Sequence, residues 1–238
     1  MDYLLCDVIL TRDDTVNSVI PSSTSVFRRW VLFCTIGELV GFGGIPVLGS
    51  AIALWATTGI EADLLSMTLY VIAVIGGFGE GAVLAWFQLR VLRVCLPRLK
   101  ANRWILATGI AASIAWSLGY LAPTLDDLFG LSAQMQLAIW IPGGIVILLS
   151  IGTAQAIVLR GIVDKPQRWI AANAAGWLLG LPWTFALPAM LPETAAIAVW
   201  VATFIIAGIL MGLTVGLVTG YTLVRFEREA EAKAVPVL

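Results

Sequence analysis

The sequence predicts an all-α integral membrane protein with six transmembrane helices, arranged as three pseudo-repeated antiparallel hairpins with both termini in the cytoplasm. Three observations support this fold class. Apolar stretches of roughly 20 residues, the length that crosses a hydrocarbon core, recur along the chain. All 14 Lys and Arg residues lie in the tail or in alternate connections between those stretches. Two short motifs, an Arg-Trp pair and a helix end containing glutamine, recur between the hairpins.

The composition excludes a soluble globular domain. Hydrophobic residues make up 60% of the 238 residues and charged residues 12%, with a mean hydropathy of +0.95, whereas soluble domains are about half apolar and about a quarter charged. Because the chain has no histidine, His-ligated haem, Ser-His-Asp catalysis and HExxH zinc sites are excluded. We therefore predict no enzyme activity, no cofactor, no metal site and no nucleic-acid partner.

The polar start of the chain differs from a signal peptide. It carries Asp2 and Asp7 where a signal peptide has basic residues before an apolar core. We predict a polar cytoplasmic N-terminal tail over residues 1–26, a six-helix transmembrane domain over 27–225 and a charged cytoplasmic C-terminal tail over 226–238.

Six apolar spans fill the predicted transmembrane domain. They run over about Trp30–Ile45, Leu64–Leu89, Trp104–Leu121, Met135–Leu159, Trp169–Leu187 and Thr194–Val224. Pro46 is expected to end or kink the first span, but apolar sequence continues beyond it, so residues 47–56 either extend the helix or lie at the membrane interface. The sixth span has 31 residues, more than a perpendicular crossing needs, and is expected to tilt or to project from the membrane.

The positive charges predict the orientation. They lie before span one, between spans two and three, between spans four and five, and after span six. In the opposite connections, every charged residue is acidic. Short loops rich in Lys and Arg stay in the cytoplasm, which predicts cytoplasmic termini and a bacterial inner membrane. The loop between spans two and three is a candidate for binding anionic lipid headgroups. Its basic residues are Arg90, Arg93, Arg98, Lys100 and Arg103.

Each odd-numbered span opens with an Arg-Trp pair and continues with small residues. The tryptophans are Trp30, Trp104 and Trp169. Seven and eleven positions beyond them stand Gly37 and Gly41, Ala111 and Ala115, and Gly176 and Gly180. The same spans are expected to end at Pro46, Pro123 and Pro188. The tryptophans are expected to lie in the headgroup region with their N–H groups in water, and the small residues to let helix backbones approach closely.

The returning spans share a second motif. Gln88 precedes Val91-Leu92-Arg93 and Gln155 precedes Val158-Leu159-Arg160, whereas the third returning span lacks the glutamine. The glutamines are expected to cap or cross-link the hairpins. The three hairpins, related by an axis along the membrane normal, are predicted over about 28–93, 103–160 and 168–225.

The sixth span carries a glycine at every fourth position. This glycine ridge consists of Gly208, Gly212, Gly216 and Gly220. Such a face packs either within the chain or against another copy of it, and packing within the chain is the favoured interpretation.

These motifs resemble an uncharacterised family of bacterial membrane proteins that is frequent in cyanobacteria. Its recurring string is glutamine, two or three apolar residues and Leu-Arg, followed by a Trp-initiated helix rich in Gly and Ala, and the likeness covers about Gly79–Trp177. The resemblance implies the repeat type and no particular activity. A carrier with three hairpins is a further analogy, but the Pro-x-acidic-x-x-basic signature of the mitochondrial carriers is missing from the odd spans.

Two acidic residues lie within the spans. Glu38 stands eight residues beyond Trp30 and Glu80 ten residues before Arg90, which is ~12 Å and ~15 Å along a helix and near the midplane of a ~30 Å hydrocarbon core. The equivalent positions in the other hairpins are apolar or small, namely Ala112 and Trp177 for Glu38, and Ile147 and about Gly212 for Glu80. An ionised acid at that depth costs a few kcal/mol, so at least one of the two is expected to be protonated.

Two functions are compatible with these features. The first is a structural or accessory protein that assembles through its small-residue helix faces, and its partners would be the lipid bilayer, further copies of the chain or other membrane subunits. The second is a small cation- or proton-coupled transporter or channel in which Glu38 and Glu80 form an ion or proton relay. The first is the expected function, because no basic partner and no polar path accompany the two acids.

Overall fold

The computed structural model describes residues 22–56, 59, 61–192 and 194–234, and this part of the chain is helical without any strand. Its helices are α1 (Ser23–Ala56), α2 (Ala62–Cys95), α3 (Ala101–Phe129), α4 (Ala133–Leu159), α5 (Gln167–Gly180), α6 (Pro182–Ala189) and α7 (Ile197–Ala234). Among the described residues, five helical segments are long and apolar enough to cross a membrane. They are α2, α3, α4, α5 together with α6, and α7. The prediction of an all-α protein with several membrane spans is therefore confirmed.

The outer helices extend into both predicted tails. α1 begins at Ser23, four residues before the predicted domain boundary. α7 continues to Ala234, and Phe226 at the start of the predicted C-terminal tail is part of the buried core. The remaining tail residues, 1–21 and 235–238, lie outside the described residues.

The prolines expected to end the first two odd spans lie inside continuous helices. α1 passes through Pro46 to Ala56, and α3 passes through Pro123 to Phe129. The expected helix ends were therefore wrong. Membrane helices tolerate proline because neighbouring helices and local adjustments satisfy the freed backbone carbonyl. Residues 47–56 accordingly extend the first helix.

The fifth span is interrupted at Pro182, six residues before the proline that was expected to end it. α5 ends at Gly180, and Pro182 is the first residue of α6. Proline has no N–H to bond to the preceding turn, and its ring clashes with the carbonyl four residues earlier. Pro188 lies inside α6.

The helices form a closed ring. α1 packs on α2, α2 on α3, α3 on α4 and α4 on α5, while α5 and α6 both pack on α7, which returns to α1. We call the end with the connections 96–100 and 160–166 the basic end. There Arg168 and Arg225 both pair with Glu229, at 2.7 and 3.1 Å. Large apolar side chains cover the outside of the ring, as expected of a surface that faces lipid.

The glycine ridge packs within the chain. A Cβ atom added at Gly212 would lie 2.8 Å from Cβ of Glu38, and one added at Gly216 would lie 3.1 Å from Cβ of Cys34. Gly208 and Gly220 face the same helix, α1. The four glycines therefore bring α7 close to α1 and close the ring.

The glycines of the odd spans lie between the two helices of a hairpin. Gly37 and Gly41 of α1 face Leu84 and Glu80 of α2. In the third hairpin, Gly176 and Gly180 of α5 face Val215 and Met211 of α7. Small residues thus set the distance within hairpins as well as between them, which brings polar side chains on neighbouring helices into contact.

Candidate functional site

Three tryptophans meet inside the ring at its basic end. The ring centroids of Trp30 and Trp104 lie 5.6 and 6.1 Å from that of Trp169, and each residue is at most 1% exposed. The expectation that these tryptophans lie in the headgroup region with their N–H groups in water was wrong. They point inward because each indole finds a hydrogen-bond acceptor on a neighbouring helix.

Each indole N–H is donated to the returning helix of another hairpin. The pairs are Trp30 to Thr219 at 2.9 Å, Trp104 to Gln88 at 3.0 Å and Trp169 to Gln155 at 2.8 Å. We call these six residues the tryptophan layer. Thr219 stands three residues before Thr222, as Gln88 stands three residues before Val91. The third hairpin therefore keeps the acceptor of the repeat but supplies it with a threonine.

The glutamines also bond to each other and to the odd helices. Gln155 donates to Oε1 of Gln88 at 3.2 Å and to Oγ1 of Thr108 at 2.9 Å, and Nε2 of Gln88 lies 3.9 Å from Sγ of Cys34. All four residues are buried. The expected cross-linking of hairpins by the glutamines agrees with these bonds, and the layer closes the ring at its basic end with uncharged groups.

A central cavity of about 260 Å³ lies inside the ring beyond the tryptophan layer. Its wall includes residues from all seven helices, and 7 of the 16 lining residues are aromatic. The lining positions begin eight residues beyond the tryptophan on α3 and α5 and twelve residues beyond it on α1, which is about 12 and 18 Å along a helix. The cavity therefore occupies the half of the ring that faces away from the basic end.

The spacing counted from the tryptophans and from their acceptors continues into the cavity wall. Twelve positions beyond the three tryptophans stand Phe42, Trp116 and Leu181, and all three line the cavity. Eight positions before the three acceptors stand Glu80, Ile147 and Met211, and these line it too. The register set by Thr219 thus makes Met211 the equivalent of Glu80, in place of the neighbouring Gly212 that we expected.

Glu80 carries its carboxyl group in the cavity wall. It is 6% exposed, and its carboxylate accepts a hydrogen bond from the indole N–H of Trp116 on α3. Glu80 is the one acidic residue among the lining residues, and no Lys or Arg is among them. The described wall of the cavity therefore contains a carboxyl group without a basic side chain.

Glu38 is buried behind this wall. It has no exposed surface, and neither of its carboxyl oxygens has a hydrogen-bond partner among the described residues. Gly41, one helical turn further along α1, lies against Glu80, since an added Cβ would be 3.0 Å from Cγ of Glu80. The two acids of the sequence prediction therefore lie on adjacent helices, α1 and α2.

The predicted lipid-headgroup residues lie away from the cavity. Arg90, Arg93, Arg98, Lys100 and Arg103 are all exposed at the basic end. The guanidinium of Arg90 lies 4.0 Å over the ring of Trp86, which faces outward. Among the described residues, no group of three or more Cys, Asp and Glu could hold a metal ion.

Several residues of the site were missed from the sequence. They include Thr219, Trp116 and Trp177, and the buried indole N–H of Trp177 has no partner in the described part of the chain. Counting from the Arg-Trp pairs and from the Val-Leu-Arg motif would have found them, because Trp177 stands at the register position of Glu38 and Trp116 at that of Phe42. Neither tryptophan belongs to an Arg-Trp pair, and Thr219 stands where the other two hairpins have glutamine.

Comparison of the chain with protein-family models, curated proteins and solved structures finds no match.

Proposed function

We propose that the protein is a small cation- or proton-coupled transporter that binds its substrate in the central cavity and uses Glu38 and Glu80 as the coupling site. The observation that supports this most is the arrangement of the cavity. It is surrounded by all the helices, carries Glu80 in its wall, and is closed at one end by the tryptophan layer. This favours the second of the two functions considered for the sequence.

The burial of two adjacent acids supports a coupling role. Each ionised acid inside a membrane costs a few kcal/mol, and such residues commonly mark ion or proton pathways. Neither carboxyl oxygen of Glu38 has a hydrogen-bond partner among the described residues. A purely structural acid would be expected to have hydrogen-bond partners. Glu38 therefore suits a group that binds and releases a cation or a proton.

The architecture supplies elements that can move. The three hairpins surround one cavity, and transporters commonly move such repeats as rigid bodies around a fixed site. The junction of α5 and α6 also lies at the cavity, since Leu181, Thr184 and Phe185 line it. Opening towards the basic end requires the hydrogen bonds of the tryptophan layer to separate.

The proposal includes a membrane and an orientation. α1, with 34 residues, is the first span and brings the number of spans to six, and the basic end faces the cytoplasm of a bacterial inner membrane. A green fluorescent protein fused after Leu238 folds only in the cytoplasm, whereas alkaline phosphatase is active only outside it. We expect the green fluorescent protein fusion to be fluorescent and the alkaline phosphatase fusion to be inactive. The opposite pair of results contradicts the orientation.

Proton flux is the direct test of the coupling site. The full chain is reconstituted in liposomes that contain a pH-sensitive dye, and a membrane potential is imposed with potassium and valinomycin. We expect acidification several-fold faster than in protein-free liposomes, and a return to that background for the double variant Glu38→Gln and Glu80→Gln. The control is Glu229→Gln, which neutralises an acid at the basic end and should leave the flux unchanged. Equal flux in the wild type and the double variant removes the proposal.

An accessory role remains a prediction, but one of the observations that supported it now has another explanation. The glycine ridge that could have joined copies of the chain packs against α1. If the protein is a subunit of a larger assembly, gentle detergent extraction followed by native mass spectrometry should give a complex. A lone monomer under those conditions contradicts the accessory role and leaves the transporter proposal in place.

A further inference from the structure

We infer that the central cavity binds a monovalent organic cation, an ammonium group carrying apolar substituents, as the substrate class of the transporter. This inference rests on the proposed function for its biological role, but the binding itself is tested separately. It follows from the charge of the cavity wall, from the aromatic side chains in it, and from the few oxygen atoms that it offers.

The charge of the wall favours a cation over an anion. Glu80 is the one charged residue among the lining residues. The charge of an ionised carboxylate is screened weakly in a low-dielectric interior, so its attraction to a cation is stronger there than in water. An anionic ligand would have to enter the same space without a Lys or Arg partner in the described wall. The wall therefore selects for positive charge.

The aromatic side chains suit an organic ammonium group. Trp116, which donates a hydrogen bond to Glu80, has its ring centroid 5.6 Å from that of Tyr120 and 6.1 Å from that of Phe42, and all three residues line the cavity. Trp140 lines it from α4. A cation over such a ring is attracted by the negative face of the π system, and more strongly when the cation is desolvated. The carboxylate and the rings thus recognise the same charge.

The wall fits a small organic ion better than a bare metal ion. A hard divalent cation takes about six to eight oxygen ligands, whereas the side-chain oxygens of the lining residues belong only to Glu80, Tyr120 and Thr184. The hydroxyl of Thr184 donates to the backbone carbonyl of Leu181 at 2.7 Å. The volume of about 260 Å³ lies just below the ~300–1,000 Å³ of typical small-molecule sites, so the ligand should be small.

A matched pair of probes separates charge from shape. Phenyltrimethylammonium and tert-butylbenzene have the same shape, with nitrogen in one replaced by carbon in the other. Their binding to the full chain in lipid nanodiscs is measured by isothermal titration calorimetry. We expect the cation to bind at least tenfold more tightly than the neutral probe. Glu80→Gln should remove that difference and leave the affinity for the neutral probe unchanged, while Glu229→Gln should change neither.

A second variant keeps the test decisive if Glu80→Gln fails to fold. Trp140→Leu removes an aromatic ring from the wall, and Trp86→Leu removes one from the outer surface. We expect the first to weaken binding of the cation at least threefold and the second to leave it unchanged.

Two results overturn the inference. Equal affinity for the two probes would identify an apolar site, such as one for a lipid chain, and no binding of either probe would show that the cavity takes neither. Persistent acid-dependent proton flux without cation binding removes this inference and leaves the proposed function. Selective cation binding without flux in any variant supports the inference and removes the proposed function.

Discussion

Trp30 donates its indole N–H to Oγ1 of Thr219 at 2.9 Å and so joins α1 to α7 across 189 positions of the sequence. The same hydroxyl donates to the backbone carbonyl of Val215 at 2.6 Å. Thr219 is therefore both acceptor and donor at the point where the ring of helices closes, and the third hairpin fulfils there the role that glutamine has in the other two.

Thr219→Val keeps the shape of the side chain and removes its oxygen. The indole N–H of Trp30, which is buried, then lacks its acceptor. An unsatisfied buried donor costs ~1–3 kcal/mol, while side-chain hydrogen bonds in membrane proteins average ~0.6 kcal/mol. We expect a loss of about 1–2 kcal/mol, measured as the free energy of unfolding by denaturant titration in mixed micelles.

Thr203→Val is the matched control for this change. Thr203 lies on the same helix, and its hydroxyl donates to the backbone carbonyl of Val199 one turn earlier. No buried donor loses a partner when its oxygen is removed, so its free energy of unfolding should change by less than about 0.5 kcal/mol. Equal effects of the two substitutions would contradict the role of Thr219.

Gln155 should contribute more than Thr219, because it bonds to three residues. It accepts from Trp169 and donates to Gln88 and Thr108. Gln155→Met leaves the indole N–H of Trp169 without its acceptor, and we expect a loss of about 2–3 kcal/mol. In the double variant with Trp169→Phe, that N–H is absent as well.

A double-mutant cycle measures this pair. The sum of the two single losses in free energy of unfolding should exceed the loss in the double variant by about 1–2 kcal/mol. Strict additivity of the two free energies of unfolding would mean that the Trp169–Gln155 bond contributes nothing beyond packing.

The fold class could be predicted because it depends on local features. A span of about 20 apolar residues can be recognised without knowing what it contacts. The rotation of each helix about its axis could not be predicted, because lipid and the protein interior are both apolar. Trp104, which faces inward, and Trp86, which faces outward, therefore look alike in the sequence.

The candidate site was predictable only in part for the same reason. Glu38 and Glu80 were recognised because charge is rare at the midplane. The aromatic residues around Glu80 gave no such contrast, and their positions in the wall follow from the register of the repeat. The sequence alone does not show the register of the third hairpin, because its acceptor is Thr219 and not a glutamine.

Gly212→Ala should separate α7 from α1. The added Cβ would lie 2.8 Å from Cβ of Glu38 and 2.9 Å from Cα of Thr35, so backbone has to move. Overpacking of this kind costs ~1–3 kcal/mol, and we expect a loss in that range in the free energy of unfolding.

Two other glycines serve as controls because an added Cβ has more space at each of them. At Gly208 the nearest atom is the ring of Phe42 at 3.3 Å, and at Gly144 nothing lies within 4 Å. Gly208→Ala should therefore cost less than Gly212→Ala, and Gly144→Ala should be neutral or stabilising by up to ~1 kcal/mol, since alanine favours helix. A loss at Gly144 as large as that at Gly212 would contradict the close approach of α1 and α7.

The two acids should respond differently to an apolar replacement. Glu38→Met removes a buried carboxyl group that has no hydrogen-bond partner among the described residues, and we expect a gain of about 1–2 kcal/mol in the free energy of unfolding. Glu80→Met leaves the indole N–H of Trp116 without its acceptor, so a smaller gain or a loss is expected.

The proton-flux assay then distinguishes stability from function in the same two proteins. Glu38→Met should be more stable than the wild type and yet lose proton flux, because functional sites often retain groups that destabilise the fold. A variant that gains stability and keeps its flux would mean that Glu38 has no part in coupling. A variant that loses stability would mean that the Glu38 carboxyl has a stabilising partner in the membrane.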